Sequence, residues 1–249
     1  MFTIGGVRRD INPEQATQLL KVLDDVEVKT TMLVGAVMDD PVIHARLKGV
    51  GILTAEDIHD FGAVGPTARA SGVDIDVRRD DPYAAYDMID WKVITAVGGD
   101  VFAKAEVRLL EMYESITIIK QCLEALKKTE AGDIKVKVKE IPPGIGIGHA
   151  EAPRGEVFHF VKSDGGNSPV RHKIRAPSYT CIPTFRKSCV GGTISDAAIA
   201  TAAVDPCYCC TERMSHVYNY NTGKHIMSAA ELIKLSQEKT KILKAKLKV

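Results

Sequence analysis

The sequence predicts an α+β protein, predominantly α, in which a bundle of long helices carries small antiparallel β elements. Two runs of helical periodicity and one pattern of alternation point to this class. From Phe102 the apolar positions are Phe102, Ala105, Leu109, Met112, Ile116, Ile119, Leu123 and Leu126, spaced alternately by three and four. That is the seam of a long helix packed at a shallow angle. Upstream, Ala16, Leu19, Leu20 and Leu23 share one face of a second helix. Strand-like alternation is confined to short stretches between Ile134 and Ile174.

Taken in order, Phe2 to Val7 reads as a short strand or turn. Asn12-Pro13-Glu14-Gln15 then supplies an N-cap, a proline at the first helical position and a polar partner three residues on, so a helix runs from there as far as Asp40. A shorter helix follows Pro41, and Thr54 with Asp57 forms a second capping box that opens a short helix closed by Gly62. Phe61 to Gly72 is rich in Gly, Pro and small residues. It is an ordered loop, or a helix approached closely by other backbone, and reads equally as a functional loop or a plain connection. The long helix ends at Lys127-Lys128 before Gly132, and Cys122 beside its seam is a packing residue. Ile134 to Ile141 alternates with lysines, as a strand with one wet face, and Pro142-Pro143-Gly144 stops it. Glu156 to Val161 and Val170 to Ile174 predict a hairpin across Ser163 to Asn167. Gly191 to Asp196 reads as a turn and helix cap, leading into the small apolar run Ala197 to Val204.

With 249 residues the chain can bury a substantial core. Its net charge of +1 and few aromatics exclude a nucleic-acid binder. Neither a signal peptide nor an apolar run of bilayer-spanning length is seen, so a cytoplasmic protein is expected, peripheral on the inner face of the membrane through partner subunits. Six cysteines without a disulfide-like framework fit a reducing compartment.

The chain is organised around Asp205-Pro206-Cys207-Tyr208-Cys209-Cys210. Cys207 and Cys210 form a C-x-x-C pair whose short loop turns two thiolates toward one point, as soft-metal coordination requires. Such a pair alone also serves zinc knuckles and dithiol redox centres. A zinc ribbon needs a second pair, however, and Cys122, Cys181 and Cys189 are scattered; no βαβ unit leads into Cys207 as in a thioredoxin.

Asp205-Pro206-Cys207-x-x-Cys210 resembles the C-terminal metal motif of nickel-iron hydrogenase large subunits, and Glu151-Ala152-Pro153-Arg154-Gly155 resembles that family's arginine motif. Phe61-Gly62-x-x-Gly65-Pro66-x-x-Arg69-x-Ser71-Gly72, Asp81-Pro82-Tyr83, Asp164-Gly165 and Arg175-Ala176-Pro177-Ser178 are also similar to the quinone-site large subunit of respiratory complex I. The mixture resembles the membrane-bound, energy-converting hydrogenases over nearly the whole chain. It favours a functional role for the Phe61 to Gly72 loop, and it implies a nickel-iron large-subunit-like fold and a nickel-iron centre with carbon monoxide and cyanide ligands on iron.

Heterolytic splitting of dihydrogen needs a soft, low-valent metal and a nearby base, and thiolates supply both ligands and base. The resemblance implies that Cys207 is a terminal nickel ligand and first proton acceptor, and that Cys210 bridges nickel and iron. Arg154 would extend over the open coordination position with Asp205 as its carboxylate partner, and Pro153 would add a dry wall; the plainer reading is an Arg154–Asp205 ion pair that only stabilises the fold. Thr184 sits where the family places a hydroxyl that hydrogen-bonds a cyanide. Cys209 is expected to be a packing thiol turned away. His149, Glu151 and His159 are candidate proton relays or ordinary structural groups, and His44, His59, His172, His216 and His225 show no metal-ligand spacing among themselves.

The family's other two cysteine ligands come from an N-terminal motif, and no cysteine precedes Cys122. The expectation is a C-terminal region over residues 1–213 lacking that motif, with the missing ligands encoded upstream, carried by a separate chain, or lost. The tail, residues 214–249, is a candidate maturation propeptide released by an endopeptidase at Arg213-Met214; equally, Ser228-Ala229-Ala230-Glu231 caps a basic helix that could stay as a docking element. Implied partners are a small subunit carrying an iron-sulfur cluster and membrane subunits that translocate ions. The alternatives are a non-catalytic complex I-like structural or quinone-site subunit and, less supported, a zinc-binding module.

Overall fold

The computed structural model describes residues 2–130, 132–211 and 216–247, roughly half of the chain being helical. They fall into two compact units, residues 1–210 and 211–249. In the first unit β1 (Phe2–Thr3) and β2 (Gly6–Val7) form a tight antiparallel pair. Local chemistry then starts α1 (Pro13–Met38): the Asn12 side chain accepts from the Gln15 N–H, the Gln15 side chain accepts from the Asn12 N–H, and Pro13 loses no bond at the first turn. An Asp40 cap opens α2 (Pro41–Leu47). The Thr54–Asp57 capping box opens α3 (Ala55–Phe61), which ends where Gly62 turns left-handed, as the sequence predicts. The glycine-rich stretch resolves into α4 (Pro66–Arg69), followed by α5 (Val77–Asp80) and a single 3-10 turn at Tyr86–Met88.

The long helix α6 (Val101–Leu126) touches α1, α2 and α4 and the later helix at Ile194–Ala203. Lys120 reaches Asp24 and Glu27 at 2.8 and 2.7 Å, and Tyr113 reaches Thr31 at 3.3 Å, so α1 and α6 run antiparallel. The predicted seam is only partly buried. Phe102, Ile116 and Leu123 are inside, whereas Met112, Ile119 and Leu126 are exposed and Ala103, Lys104 and Val107 are buried instead. The reason is that the first turns of α6 are packed from several sides: Ala70 closes on Ala103 and Val107, and Ala200 lies against Gly51 and Val101. Burial of Lys104 is tolerated because its ammonium donates to the carbonyls of Gly51 at 2.9 Å and Gly99 at 2.7 Å, although burial pushes its pKa down to about 8.

A three-stranded antiparallel sheet follows, in the order β3 (Gly144–Ala152), β4 (Gly155–Ser163) and β5 (Arg171–Arg175). The β4–β5 hairpin matches its prediction; β3 does not appear in the sequence reading. Its glycines at 144, 146 and 148 lower strand propensity, and the long register with β4 supplies what propensity withholds. Conversely, the strand predicted over Ile134 to Ile141 is only an isolated bridge, in which Val7 N–H donates to the Ile134 carbonyl and Val136 N–H to that of Gly5. Alternation there has one short neighbour to pair with and no sheet to extend.

Beyond the sheet come α7 (Pro177–Cys181), a 3-10 turn at Ile182–Thr184, α8 (Phe185–Ser188), α9 (Ile194–Ala203) and the single turn α10 (Tyr208–Thr211). The capping box of α9 joins Thr193 to Asp196. Leu53, Ile58, Ala63, Ala68, Val73, Cys181 and Val204 pack as the core beneath this corner. In the second unit β6 (Val217–Tyr218) pairs with β7 (His225–Met227), and α11 (Ala229–Leu247) opens on the reciprocal Ser228–Glu231 cap that the sequence predicts. Among the described residues no helix is long and apolar enough to cross a membrane. The Arg213-Met214 bond lies outside the described residues.

Candidate active site

The register pairs Ala152 with Gly155, so Pro153 and Arg154 are the two central residues of the β3–β4 turn. The turn is seated by a glycine contact: a Cβ at Gly65 would lie 2.4 Å from the Arg154 carbonyl oxygen, and Gly65 has φ +69°. Backbone therefore rests on backbone, and the turn that carries Arg154 is held in place by main-chain packing. Its Nε donates to the Asp205 carbonyl at 2.6 Å and its Nη2 to Asp205 Oδ1 at 2.9 Å.

Asp205 stands in the left-handed region at φ 56°, a conformation short polar residues tolerate at some cost, and the two-pronged guanidinium contact holds it there. The bend sends Pro206 and Cys207 back toward α7, where Cys207 N–H donates to Ser178 Oγ at 3.0 Å. Cys210 N–H donates to the Cys207 carbonyl at 3.1 Å and closes the C-x-x-C turn. Within it Cys207 is the thiol that ionises first: hydrogen bonds from the Cys210 side chain and N–H hold it below the usual thiol range, with the Arg154 charge adding, while the same pairing pushes Cys210 up.

Around this corner lies a cleft of about 590 Å³ whose walls include Leu23, Met112, Ile116, Glu151, Pro153 and Asp205. Its floor is a buried charge network. Arg69, 2% exposed, donates to Glu111 at 2.7 Å and Glu151 at 3.0 Å and lies 3.2 Å from Asp76. Burial pushes the Glu151 carboxyl up, Arg69 opposing it, and the Glu151 N–H donates to the Tyr83 hydroxyl at 3.0 Å. The His149 ring meets Asp81 through Nε2 at 2.8 Å and Glu156 through Nδ1 at 2.7 Å. Glu156 in turn pairs with Arg175. The separate sequence stretches around residues 65–69, 81–83, 151–156, 175–178 and 205–210 thus converge on one corner.

Of the residues the sequence singles out, Cys207, Cys210, Arg154, Asp205 and Pro153 are brought together, Pro153 exposed at the turn and lining the cleft. Thr184 is fully buried, its hydroxyl donating to the Cys181 carbonyl at 2.6 Å. Cys209 is exposed rather than packed. Glu151 and His149 sit in the surrounding charge network, while His159 lies on the sheet beside His172. Sequence reasoning missed Asp76, Arg108 and Glu111. Arg108 donates to the Lys104 carbonyl, its buried Nη2 has no hydrogen-bond partner among the described residues, and it lines the cleft with Asp205. The signal was the stripe Lys104, Arg108, Glu111, Ser115, spaced as one helical face; such a stripe reads by default as a wet surface.

The donor set decides what the corner can hold. It offers two adjacent thiols, and among the described residues no three His, Cys, Asp or Glu side chains converge as a metal-ion site. Two thiols fit half of a four-thiolate nickel-iron site and do not complete it.

Thiols beside a fixed guanidinium and carboxylate, on a scaffold of long helices, are the makings of a redox subunit. Comparison with known proteins agrees. The family described as respiratory-chain NADH dehydrogenase, 49 kDa subunit, matches residues 1–142 and 134–213, and the chain belongs to that family. It is 37% identical over 215 residues to the carbon monoxide-induced hydrogenase of Rhodospirillum rubrum, covering 85% of this chain and 58% of that one. To an NADH-quinone oxidoreductase subunit of Clostridium beijerinckii it is 38% identical over 206 residues, covering 82% and 55%. Among solved structures it is similar to a chain of the membrane-bound sulfane sulfur reductase, an archaeal respiratory membrane complex, with a TM-score of 0.76 and 30% identity over 82% of this chain and 57% of that one. The chain thus spans somewhat more than half the length of these relatives.

Proposed function

We propose that the chain is the C-terminal portion of the large subunit of a membrane-bound, energy-converting nickel-iron hydrogenase, supplying two of four cysteine ligands for reversible interconversion of dihydrogen and protons coupled to ion translocation. The observation that carries this reading is the Cys207–Cys210 thiol pair held beside Arg154, with Arg154 clamping Asp205 through both its carbonyl and its carboxylate. A nickel-iron centre with carbon monoxide and cyanide on iron, when bound, supplies the soft electron-rich acceptor that splitting of dihydrogen requires. In this reading Cys207 takes up and returns the proton at Sγ. Arg154 fixes a positive charge beside it and orients the Asp205 carboxylate, and Pro153 keeps water from one wall of the cleft. Thr184 would serve as hydroxyl donor to a cyanide only by giving up its bond to the Cys181 carbonyl.

The remaining thiolates come from upstream sequence or from a separate chain. An iron-sulfur small subunit takes the electrons, membrane subunits translocate the ion, and the assembly lies on the cytoplasmic face; a maturation endopeptidase acting at Arg213-Met214 belongs to the same reading. A second reading, a non-catalytic complex I-like structural or quinone-site subunit, is favoured by the NADH-quinone oxidoreductase relatives. The test is metal analysis and infrared spectroscopy of the native complex. Stoichiometric nickel and iron with carbon monoxide and cyanide bands, lost in Cys207→Ser, support the hydrogenase. Their absence from an intact complex overturns the hydrogenase reading and leaves the complex I-like one.

A further inference from the structure

His159 on β4 and His172 on β5 are thirteen residues apart in sequence, a spacing with no ligand pattern in it. The sheet brings them together. His159 pairs with Ile174 and Val161 with His172, so the two histidines are diagonal neighbours on one face. Their rings stack at 29° with centroids 5.2 Å apart, and His159 Nδ1 lies 2.9 Å from His172 Nε2.

We infer that His159 and His172 form a two-histidine site for a divalent late transition-metal ion such as Zn²⁺, Ni²⁺ or Cu²⁺. Metal–imidazole bonds are about 2.0–2.1 Å, so two nitrogens on one ion stand about 2.9 Å apart at a right angle and about 3.4 Å apart at the tetrahedral angle. The observed separation is at the lower end of that range. A small rotation of each ring about its outer torsion turns both lone pairs from facing one another to a common point, and the torsion is a soft one. The hydrogen bond that now joins the rings gives little reason for the pairing, because His172 is exposed and His159 only half-buried, and water would serve either nitrogen as well.

The surroundings suit a cation. Strand alternation puts Val157, Val161 and Ile174 on the same face as the histidines and Lys162, Arg171, Lys173 and Arg175 on the opposite one, so these four cations of β4 and β5 point away from the histidines. On the β3 side His159 pairs with Gly148 and Val161 with Gly146, and a Cβ at either glycine would meet nothing within 4 Å. The ion's approach and its remaining water ligands are therefore unobstructed there. Imidazole is a ligand of choice for these ions, each ring binding through an unprotonated nitrogen.

This site is independent of the proposed hydrogenase function, and its test does not depend on turnover. The whole chain is titrated with Zn²⁺ while the ring ¹H–¹⁵N correlations of its seven histidines are followed. Cys207→Ser and Cys210→Ser are both introduced so that the thiol pair takes no ion. The expected result is that His159 and His172 respond together and saturate at one ion, ahead of the other five. In H172Q the response of His159 weakens by at least about tenfold, and reciprocally in H159Q. Both replacements lie at the surface of the sheet, and unchanged backbone amide spectra verify the fold. Two rings that titrate with separate affinities, or that do not move at about tenfold excess of Zn²⁺, overturn the assignment.

Discussion

Two arginines meet carboxylates at the same corner of the molecule, and they differ in almost everything else. Arg69 is 2% exposed and is shared among Asp76, Glu111 and Glu151, with a further bond to the Ile75 carbonyl. Arg154 is 29% exposed and pairs with Asp205, whose side chain is 44% exposed. The first is committed to its own carboxylates and holds four segments of chain together. The second sits beside two thiols on a turn that backbone packing holds in place. A buried guanidinium surrounded by its partners is architecture; a half-exposed one on a rigid turn is available for chemistry.

The sharpest way to break this comparison is to neutralise each arginine. Arg69→Met leaves Glu111 and Glu151 without the guanidinium that joins them, although Arg78 still holds Asp76 at 2.6 Å, and a loss of about 3–5 kcal/mol in unfolding free energy is expected. Urea denaturation measures it, and a loss below about 1 kcal/mol would mean that water, not Arg69, carries the network. Arg154→Lys should do the reverse. It keeps the charge but cannot bond both oxygens of Asp205, so stability changes by less than about 1 kcal/mol. Under the proposed hydrogenase function, hydrogen turnover by the native complex falls by about 10²–10³, the effect of removing one preorganised donor. Equal losses of stability in both variants would erase the distinction.

Gly65→Ala tests whether backbone contact at the turn also aims Arg154. The new methyl would need to share space with the Arg154 carbonyl oxygen 2.4 Å away, at a φ of +69° that alanine avoids. A destabilisation of about 1–3 kcal/mol is expected, with loss of the Arg154–Asp205 bond visible as a shift of the Arg154 side-chain Nε–H resonance. A destabilised variant with that resonance unmoved would show that the turn keeps its aim without the glycine.

Much of this architecture is legible in the residues, and what is hidden has a physical reason. Capping boxes are local, so Asn12 with Gln15, Thr54 with Asp57 and Ser228 with Glu231 announce helix starts that the structure reproduces. The Arg154–Asp205 pairing was expected from a resemblance and is present at 2.9 Å. The strand β3 stayed hidden because Gly144, Gly146 and Gly148 carry no pattern; its register is written in β4. Lys104, Arg108 and Glu111 stayed hidden because a charged helical stripe looks the same whether it meets water or a partner. Only tertiary contacts distinguish the two. The alternation from Ile134 to Ile141 misleads for the opposite reason, since a local pattern cannot make a strand without a neighbour of equal length.

The smallest expected effect concerns His149, which stands between the two regimes: its ring bridges the exposed Asp81 and the half-buried Glu156 that Arg175 also holds. Hydrogen bonding to Glu156, and then to Asp81, raises its pKa above the ordinary value of about 6.5. A group whose pKa is raised on folding adds stability that is fully present below its unfolded value and is lost as the pH climbs through the folded one. The difference between the wild type and His149→Gln should therefore be greatest near about pH 6, under about 1 kcal/mol for so accessible a pair, and vanish by about pH 9. Urea midpoints across that range measure it. Glu156→Gln should lower the His149 pKa, followed by NMR, more than Asp81→Asn does, because Glu156 is 25% exposed and Asp81 is 75% exposed and screened by water. A stability difference that stays constant from about pH 6 to about pH 9 would mean that the ring acts as a neutral hydrogen-bonding spacer, which would place His149 with Arg69 as architecture rather than with Arg154.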